Sequence, residues 1–311
     1  MTYLQPLSQH AAATVLDLAN LPLRMERDNS ETPLAHGQDA AHVLVALTQF
    51  GADCDELDQF LARTPDSVNV AVSNNGPREK ITPHGASFVV NNLHNPGYYP
   101  GCFDAARQLL NEFDSDDVEW ILLCNFDLEI PWPELLSALS EHAADRPIAF
   151  TPQIRDMPSA HLRNPNMETR PSKWRLRRVH WSTQSALLFR LQNMLSALKQ
   201  RIRHQRGAHS VDPIPLMPRA IYSAHGSFIA MSRPLFELTW EAGMNVPLFA
   251  EEVWLAEVTR QLGAPIVLDE RITVTHHAHA TISTLDPATR RQHWAAGTRA
   301  SLAFFSEEIT L

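Results

Sequence analysis

The residues best suited to chemistry stand where apolar runs end. Trp120–Cys124 is a run of five apolar residues leading straight into Asn125, Asp127 and Glu129, before Pro131 and Pro133 break the pattern. A carboxylate at the exit of a buried strand is costly unless a positive charge sits against it, so Asp127 calls for a cation. Glu251 and Glu252 open the helical pattern "EEVWLAEVTRQLG". The helix dipole alone favours acids in a first turn; in a cleft, the same carboxylate would be a general base for an acceptor hydroxyl. "THHAHAT" places His276, His277 and His279 within four positions. Zinc is poorly served, because neither a Cys nor an HExxH pattern accompanies them. One histidine joining Asp127 on Mg²⁺ or Mn²⁺ suits the donors better, since mixed carboxylate and imidazole ligation is agreeable to Mn²⁺. A plain surface loop is the alternative.

These residues need elements to hold them. Val43–Leu47, Val68–Val72, Ser87–Val90 and Trp120–Cys124 read as strands. Between them the spacing predicts helices over Asp53–Ala62, with Leu57, Phe60 and Leu61 on one face, and over Cys102–Phe113. A further helix is expected from about Glu134 to His142. Phe228–Met231, Ile266–Leu268 and Ile272–Val274 read as later strands, and Gly263 ends the helix begun by Glu251, with Leu255, Val258 and Leu262 on its buried side. Strands alternating with helices predict an α/β fold, a mostly parallel sheet with helices on both faces. Ligands in such sheets gather at the carboxyl ends of the strands. Three expected ends carry polar clusters: Thr48-Gln49, Asn74-Asn75-Gly76 and Asn125-Phe126-Asp127. Loop starts are often polar in any case.

Bulk properties narrow the classes. With 311 residues, 44% hydrophobic and 20% charged, the chain can bury an enzyme-sized core. A net charge of -9 argues against nucleic acid as a partner of the whole surface. Cys54, Cys102 and Cys124 are odd in number and far apart, which suits a reducing compartment. No signal peptide and no run of 18 apolar residues is visible, so a cytoplasmic location is expected. Residues 169–211 stand apart. They contain no Asp or Glu but ten of the 26 basic residues, leaving about -19 on the rest once those ten charges are set aside from -9. Leu187, Leu188, Leu191, Met194, Leu195, Leu198 and Ile202 recur there at helical spacing. A basic amphipathic helix can lie on anionic lipid or grip a phosphate-bearing acceptor; packing against the core with a solvated face is the alternative.

Taken in order, these pieces resemble the family two glycosyltransferases of the GT-A fold, especially bacterial enzymes of surface-polysaccharide synthesis, over about residues 42–283. Thr48-Gln-Phe50 is similar to the family's first strand-end turn. Asn74-Asn75-Gly76 looks like its Asp-Asn-Gly nucleotide turn, and Asn95-Pro-Gly97-Tyr98-Tyr-Pro-Gly101 like its Gly-rich loop. Asn125-Phe126-Asp127 is similar to the metal motif, Gly226–Arg233 to the Gly turn, strand and closing Arg, and Glu251-Glu252 to the pair bearing the base. His276 resembles the late strand-end histidine. Asn74 in place of Asp, Pro100 in place of Gly and Glu252 in place of Asp depart from the pattern.

The resemblance implies an inverting transfer from a nucleoside-diphosphate sugar to a hydroxyl of a glycan or lipid-linked acceptor. Asp127 and His276 would hold Mn²⁺ or Mg²⁺; Asn125 would orient that site or touch the ribose. Thr48, Asn74, Gly97 and Gly101 would meet the nucleotide, and Glu252, or Glu251 sharing its role, would be the base. Residues 1–41 form an N-terminal extension, 42–285 the GT-A-like domain with a basic helical insertion at 169–211, and 286–311 a C-terminal helix. The insertion would hold a lipid-diphosphate acceptor or make a peripheral contact with the inner membrane face. A catalytically silent sugar-nucleotide-binding relative or scaffold subunit is the main rival. A nucleotidyltransferase ranks lower, because "LTQFGADCDELDQF" offers acid where a triphosphate wants Lys or Arg.

Overall fold

A computed structural model describes residues 42–50, 55–76, 83, 85–92, 94–112, 117–192, 194–195, 217–242, 248–277 and 286–305. Residues 1–41, Cys54, His279, Leu198, Ile202 and the basic residues from Lys199 to Arg206 lie outside that set. In chain order come β1 (Val43–Gln49), α1 (Asp55–Arg63), β2 (Asn69–Asn74), β3 (Phe88–Asn91), α2 (Tyr98–Glu112) and β4 (Trp120–Cys124). They are followed by β5 (Leu128–Glu129), α3 (Trp132–Ser140), β6 (Ala149–Asp156), α4 (Lys173–Thr183) and β7 (Arg219–Ile221). Then come β8 (Phe228–Ser232), α5 (Arg233–Glu241), α6 (Glu251–Gln261), β9 (Ile266–His276) and α7 (Pro287–Phe304).

Nine strands form one sheet in the order β3-β2-β1-β4-β8-β6-β9-β5, with β7 also on β9. The pairs β1/β2, β2/β3, β1/β4 and β6/β9 are parallel, whereas β8 runs against both β4 and β6. One antiparallel strand between two parallel sets leaves the carboxyl ends of β1, β2, β3, β4, β6 and β9 on the same edge. It also brings the start of β8 there. This is the expected α/β class, with a mostly parallel sheet and helices on both faces.

Alternation along the strands divides the core in two. Val43, Val45, Leu47, Trp120 and Leu122 face α1 and α3, burying Leu57, Phe60, Trp132 and Leu135. Leu44, Ala46, Ile121 and Leu123 face α2, α5 and α6, burying Phe103, Phe236 and Trp254. Phe103 stacks on Phe236 at 5.0 Å and meets Trp254 edge-on at 6.4 Å. Helices therefore cover both faces, and polar groups are pushed to the strand ends.

Three expectations about elements need correction. β6 was not anticipated, because Pro152 and the polar residues around it hide its apolar pattern. Pro152 lies where the β6/β9 register shifts, a place in a sheet that tolerates proline. Ile266–Leu268 and Ile272–Val274 form one strand, since Asp269, which looks like a turn residue, is fully buried and bound by Arg271 at 2.6–3.1 Å. α6 is buried almost all round: Val253, Trp254, Leu255, Ala256, Glu257 and Thr259 are inside, while Val258 and Leu262 are only half-buried.

Candidate active site

β4 delivers Asn125, Phe126 and Asp127 to the common edge as the chain turns into β5. β5 pairs with the end of β9, Leu128 against His276, and the His277 N–H donates to the Asp127 carbonyl at 3.0 Å. Backbone pairing thus forces Asp127 and His276 together although 149 positions separate them in sequence. Their side chains lie 3.3 Å apart, His276 Nε2 to Asp127 Oδ2, and both are nearly inaccessible. Neither His276 Nε2 nor Asp127 Oδ1 has a hydrogen-bond partner despite full burial. The approach is within ion-pair range without hydrogen-bond alignment, so each side chain keeps a buried polar atom without a partner at this edge.

The other ring nitrogen is tied down. His276 Nδ1 lies 2.9 Å from Asp156 Oδ1, at the end of β6, and Arg163 Nε donates to Asp156 Oδ2 at 2.5 Å. Burial opposes charge on His276, but Asp127 and Asp156 outweigh it and hold its pKa above the ordinary value. Burial pushes Asp156 up, yet Arg163 and His276 bring it below the ordinary carboxylate range. A histidine fixed through Nδ1 by a carboxylate presents Nε2 outward in one orientation, as metal-bound histidines generally do. Among the described residues no group of three or more His, Cys, Asp and Glu stands ready for a metal. Asp127 and His276 would fill only part of a coordination sphere. Their orphaned buried atoms and their hard and borderline donor types fit Mn²⁺ or Mg²⁺, with the remaining positions left to a ligand's oxygens or water. His277 is half-exposed and lies 3.4 Å from Glu129, away from this pair.

The turn ahead of β8 joins Glu252 to the pair. A Cβ built at Gly226 would sit 2.8 Å from Glu252 Oε1, so the glycine leaves room for the carboxylate to lie against the backbone of this turn. On one side of Gly226, the His225 ring lies 6.2 Å from the His276 ring. On the other side, the Ser227 carbonyl accepts from the Asn125 N–H at 3.0 Å. Burial raises the pKa of Glu252, against hydrogen bonds from the Glu252 and Gly226 backbone. Burial, with Glu252 alongside, raises Glu251 to about 8. Glu251 is 4% exposed and Glu252 half-buried; of the two, Glu252 faces the turn. Burial also lowers His225 to about 4, keeping it neutral beside His276.

The ends of β1, β2 and β3 make the other half of the edge. Thr48 Oγ1 donates to the Tyr98 carbonyl at 3.0 Å and lies 3.1 Å from Cys102 Sγ. Burial pushes the Cys102 thiol up to about 12, so it packs as a neutral group. Asn74 is buried: its Oδ1 accepts from Gly76 N at 3.0 Å and its Nδ2 donates to Asn91 Oδ1 at 2.8 Å. Asn75 Nδ2 donates to the Gly97 carbonyl at 2.8 Å, while Asn75 Oδ1 accepts from Ser73 and Asn92. Gly97 has φ +106, and a Cβ on Gly101 would fall 2.9 Å from both Asn75 Nδ2 and Ser73 Oγ and 3.1 Å from Thr48 Oγ1. Asn74 therefore shapes this floor through its amide, with Thr48, Gly97 and Gly101 packed into it.

Sequence reasoning missed three contributors. Asp156 was hidden because β6 was. His225 lies in "SAHGSF" next to Gly226, with no local signal that marks it as a neighbour of His276. Tyr98, in the sequence one residue of a Gly-containing loop, has a buried hydroxyl without a partner. Burial, with Cys102, Tyr99, Cys124 and Asp127 nearby, raises its pKa far above the ordinary value, so it remains an O–H donor at the junction of the two halves.

No protein-family model and no curated protein matches this chain. Among solved structures 93 chains match. One is the crystal structure of GalNAc-T7 with UDP, GalNAc and Mn²⁺, at 12% identity and a TM-score of 0.49. That match covers 78% of this chain but only 44% of the other, so the chain spans less than half of its length. A score that low transfers neither residues nor activity.

Proposed function

We propose that this protein is an inverting glycosyltransferase. It would move a sugar from a nucleoside-diphosphate donor to a hydroxyl of a glycan or lipid-linked acceptor in surface-polysaccharide synthesis. The observation that carries the reading is the pair of orphaned donors, Asp127 Oδ1 and His276 Nε2, at a carboxyl edge that also holds Glu252. The seven ordered motifs of the sequence support the same reading.

In this reading the Thr48, Asn74, Gly97 and Gly101 floor receives the nucleoside, and Asn125, two residues before Asp127, orients the metal site or touches the ribose. Asp127 and His276 hold Mn²⁺ or Mg²⁺, which when bound neutralises charge gathering on the leaving diphosphate. Tyr98 donates its free O–H to an oxygen of the donor. Glu252 takes the proton of the acceptor hydroxyl. The acceptor oxygen bonds to the anomeric carbon as the bond to the diphosphate breaks on the opposite face, through an oxocarbenium-like transition state. Glu251, buried against backbone N–H groups, supports the position of Glu252.

One observation favours the silent relative. Asn74 carries no charge, and both ends of its amide are engaged, by Gly76 N–H and by Asn91 of β3. A panel of nucleotide sugars with Mn²⁺, assayed for free nucleoside diphosphate, separates the two. Slow hydrolysis that disappears in Asp127→Ala is the expected result. Undiminished turnover in that variant overturns the metal assignment. Donor binding without turnover favours the silent relative, and pyrophosphate release from a nucleoside triphosphate favours a nucleotidyltransferase.

A further inference from the structure

The described part of the basic insertion packs on one side and exposes large apolar side chains on the other. In α4, Leu176 and Thr183 are buried. His180 Nδ1 lies 3.0 Å from Thr298 Oγ1, and Arg291 donates to the Thr183 carbonyl at 2.8 Å, so this side is fastened to α7. At 100° per residue, positions 174, 177, 178 and 181 fall on the opposite side. There Trp174 is 68% and Trp181 64% exposed, with Arg177 and Arg178 between them and the Arg178 guanidinium 5.6 Å from the Trp174 ring. Residues 186–192 form a further helical stretch and repeat the arrangement. Phe189 is buried, its ring 6.5 Å from Trp294 of α7, while Leu187 is 76% exposed and Leu191, Met194 and Leu195 are exposed with it. Both segments thus turn their packed side to α7 and their large apolar side chains away from it.

We infer that this outward face docks on an anionic lipid bilayer surface. Folding normally hides a tryptophan, and six large apolar side chains exposed along two consecutive segments call for an occupant. Charge decides which occupant. Residues 169–211 hold ten basic residues and no acid within a chain of net charge -9. Two copies docked through this same face would set basic residues against their own counterparts, and a mixed-charge protein surface would leave some of them unmatched. Arg170 is taken up by Glu257 at 2.8–2.9 Å, but Arg177 and Arg178 on the outward face would meet lipid phosphates. Nucleic acid would match the charge but not the Leu and Met side chains. Trp and Arg together suit the headgroup layer, with rings at the acyl boundary and guanidinium groups among phosphates. Among the described residues no helix is long and apolar enough to cross a membrane, so the face lies on the bilayer. The docking is independent of the sugar-transfer reading.

The test is co-sedimentation of the full chain with phosphatidylcholine vesicles, with and without about one-third phosphatidylglycerol. It is paired with tryptophan emission and with quenching by brominated lipid. Binding is expected to require the anionic lipid, to weaken as salt rises from about 50 mM to about 0.5 M, and to bring a blue shift and quenching. Trp174→Ser with Trp181→Ser should lower the partition coefficient at least about tenfold, as should Arg177→Glu with Arg178→Glu. Far-UV circular dichroism confirms that both double variants fold. Equal sedimentation with neutral and anionic vesicles overturns the proposal, as does binding unchanged by either double variant. Self-association abolished by the Trp variants, without vesicle binding, also overturns it and assigns the face to a second copy. Donor hydrolysis without vesicles should be the same in all these variants, so a failure here leaves the catalytic reading untouched.

Discussion

Glu252 and Glu251 are neighbours in sequence with different surroundings, and their variants should separate accordingly. Glu252 stands beside Gly226 at the turn that reaches His276, so Glu252→Gln should lower kcat by about 10²–10⁴-fold and leave donor KM unchanged, as read by nucleoside diphosphate release. Glu251 is held protonated by burial up to about 8. In the unfolded chain it ionises in the ordinary carboxylate range, so between that range and about pH 8 the unfolded state binds fewer protons than the folded one. Stability must fall as pH rises through this window. Glu251→Gln removes the penalty and keeps the oxygen that accepts the backbone N–H groups. Its thermal midpoint should exceed that of the parent at pH 8, by roughly 2–4 °C for each kcal/mol recovered, and match it near pH 4. A parent and variant that respond identically to pH would contradict the assignment. At this scale the sequence was informative wherever a residue's type implied a cost. Asp127 after a buried strand and glycines in polar turns were visible for that reason. Asp156 and Tyr98 were not, because nothing in their local sequence marks them as buried beside partners from distant strands.

Between elements, the start of α6 depends on α7. Phe249, just before α6, has φ 71, a conformation that costs a non-glycine residue about 1–3 kcal/mol. Its ring stacks on Trp294 at 4.7 Å. A Cβ on Gly297 would lie 2.7 Å from the Leu248 carbonyl, so α7 approaches this turn as closely as backbone allows. Gly297→Ala should therefore destabilise the fold by about 1–3 kcal/mol and lower kcat by displacing Glu252, with donor affinity retained because the Thr48 to Gly101 floor lies on other elements. Unchanged kcat together with an unchanged melting temperature would show that the turn does not need this support. Helices and strands with clean periodicity, such as α1 and β4, were readable from spacing alone. The strands β6 and β9 are obscured or split by Pro152 and by the Asp269–Arg271 segment, residues accommodated by a register shift and by the ion pair that the exposed Arg271 makes with buried Asp269. Spacing carries neither fact.

Across the whole molecule, the antiparallel β8 makes the site possible. By running against both β4 and β6, it lets their carboxyl ends share an edge and brings its own first turn between them. Asp127, Asp156, His225, Glu252 and His276 meet there from five separate segments. The motif order suggested such a gathering, but contacts of this kind are set by strand order, which periodicity does not encode. The most direct test is a Mn²⁺ titration of the intact protein followed by electron paramagnetic resonance, with and without a nucleoside diphosphate. The parent should quench the free Mn²⁺ signal more strongly with the nucleotide present. Asp127→Ala and His276→Ala should abolish that nucleotide-dependent binding, Asp156→Asn should weaken it about 10–100-fold, and Glu252→Gln should leave it intact. If Asp127→Ala and His276→Ala bind Mn²⁺ and nucleotide as the parent does, the buried pair is not the metal site and the proposed chemistry fails with it.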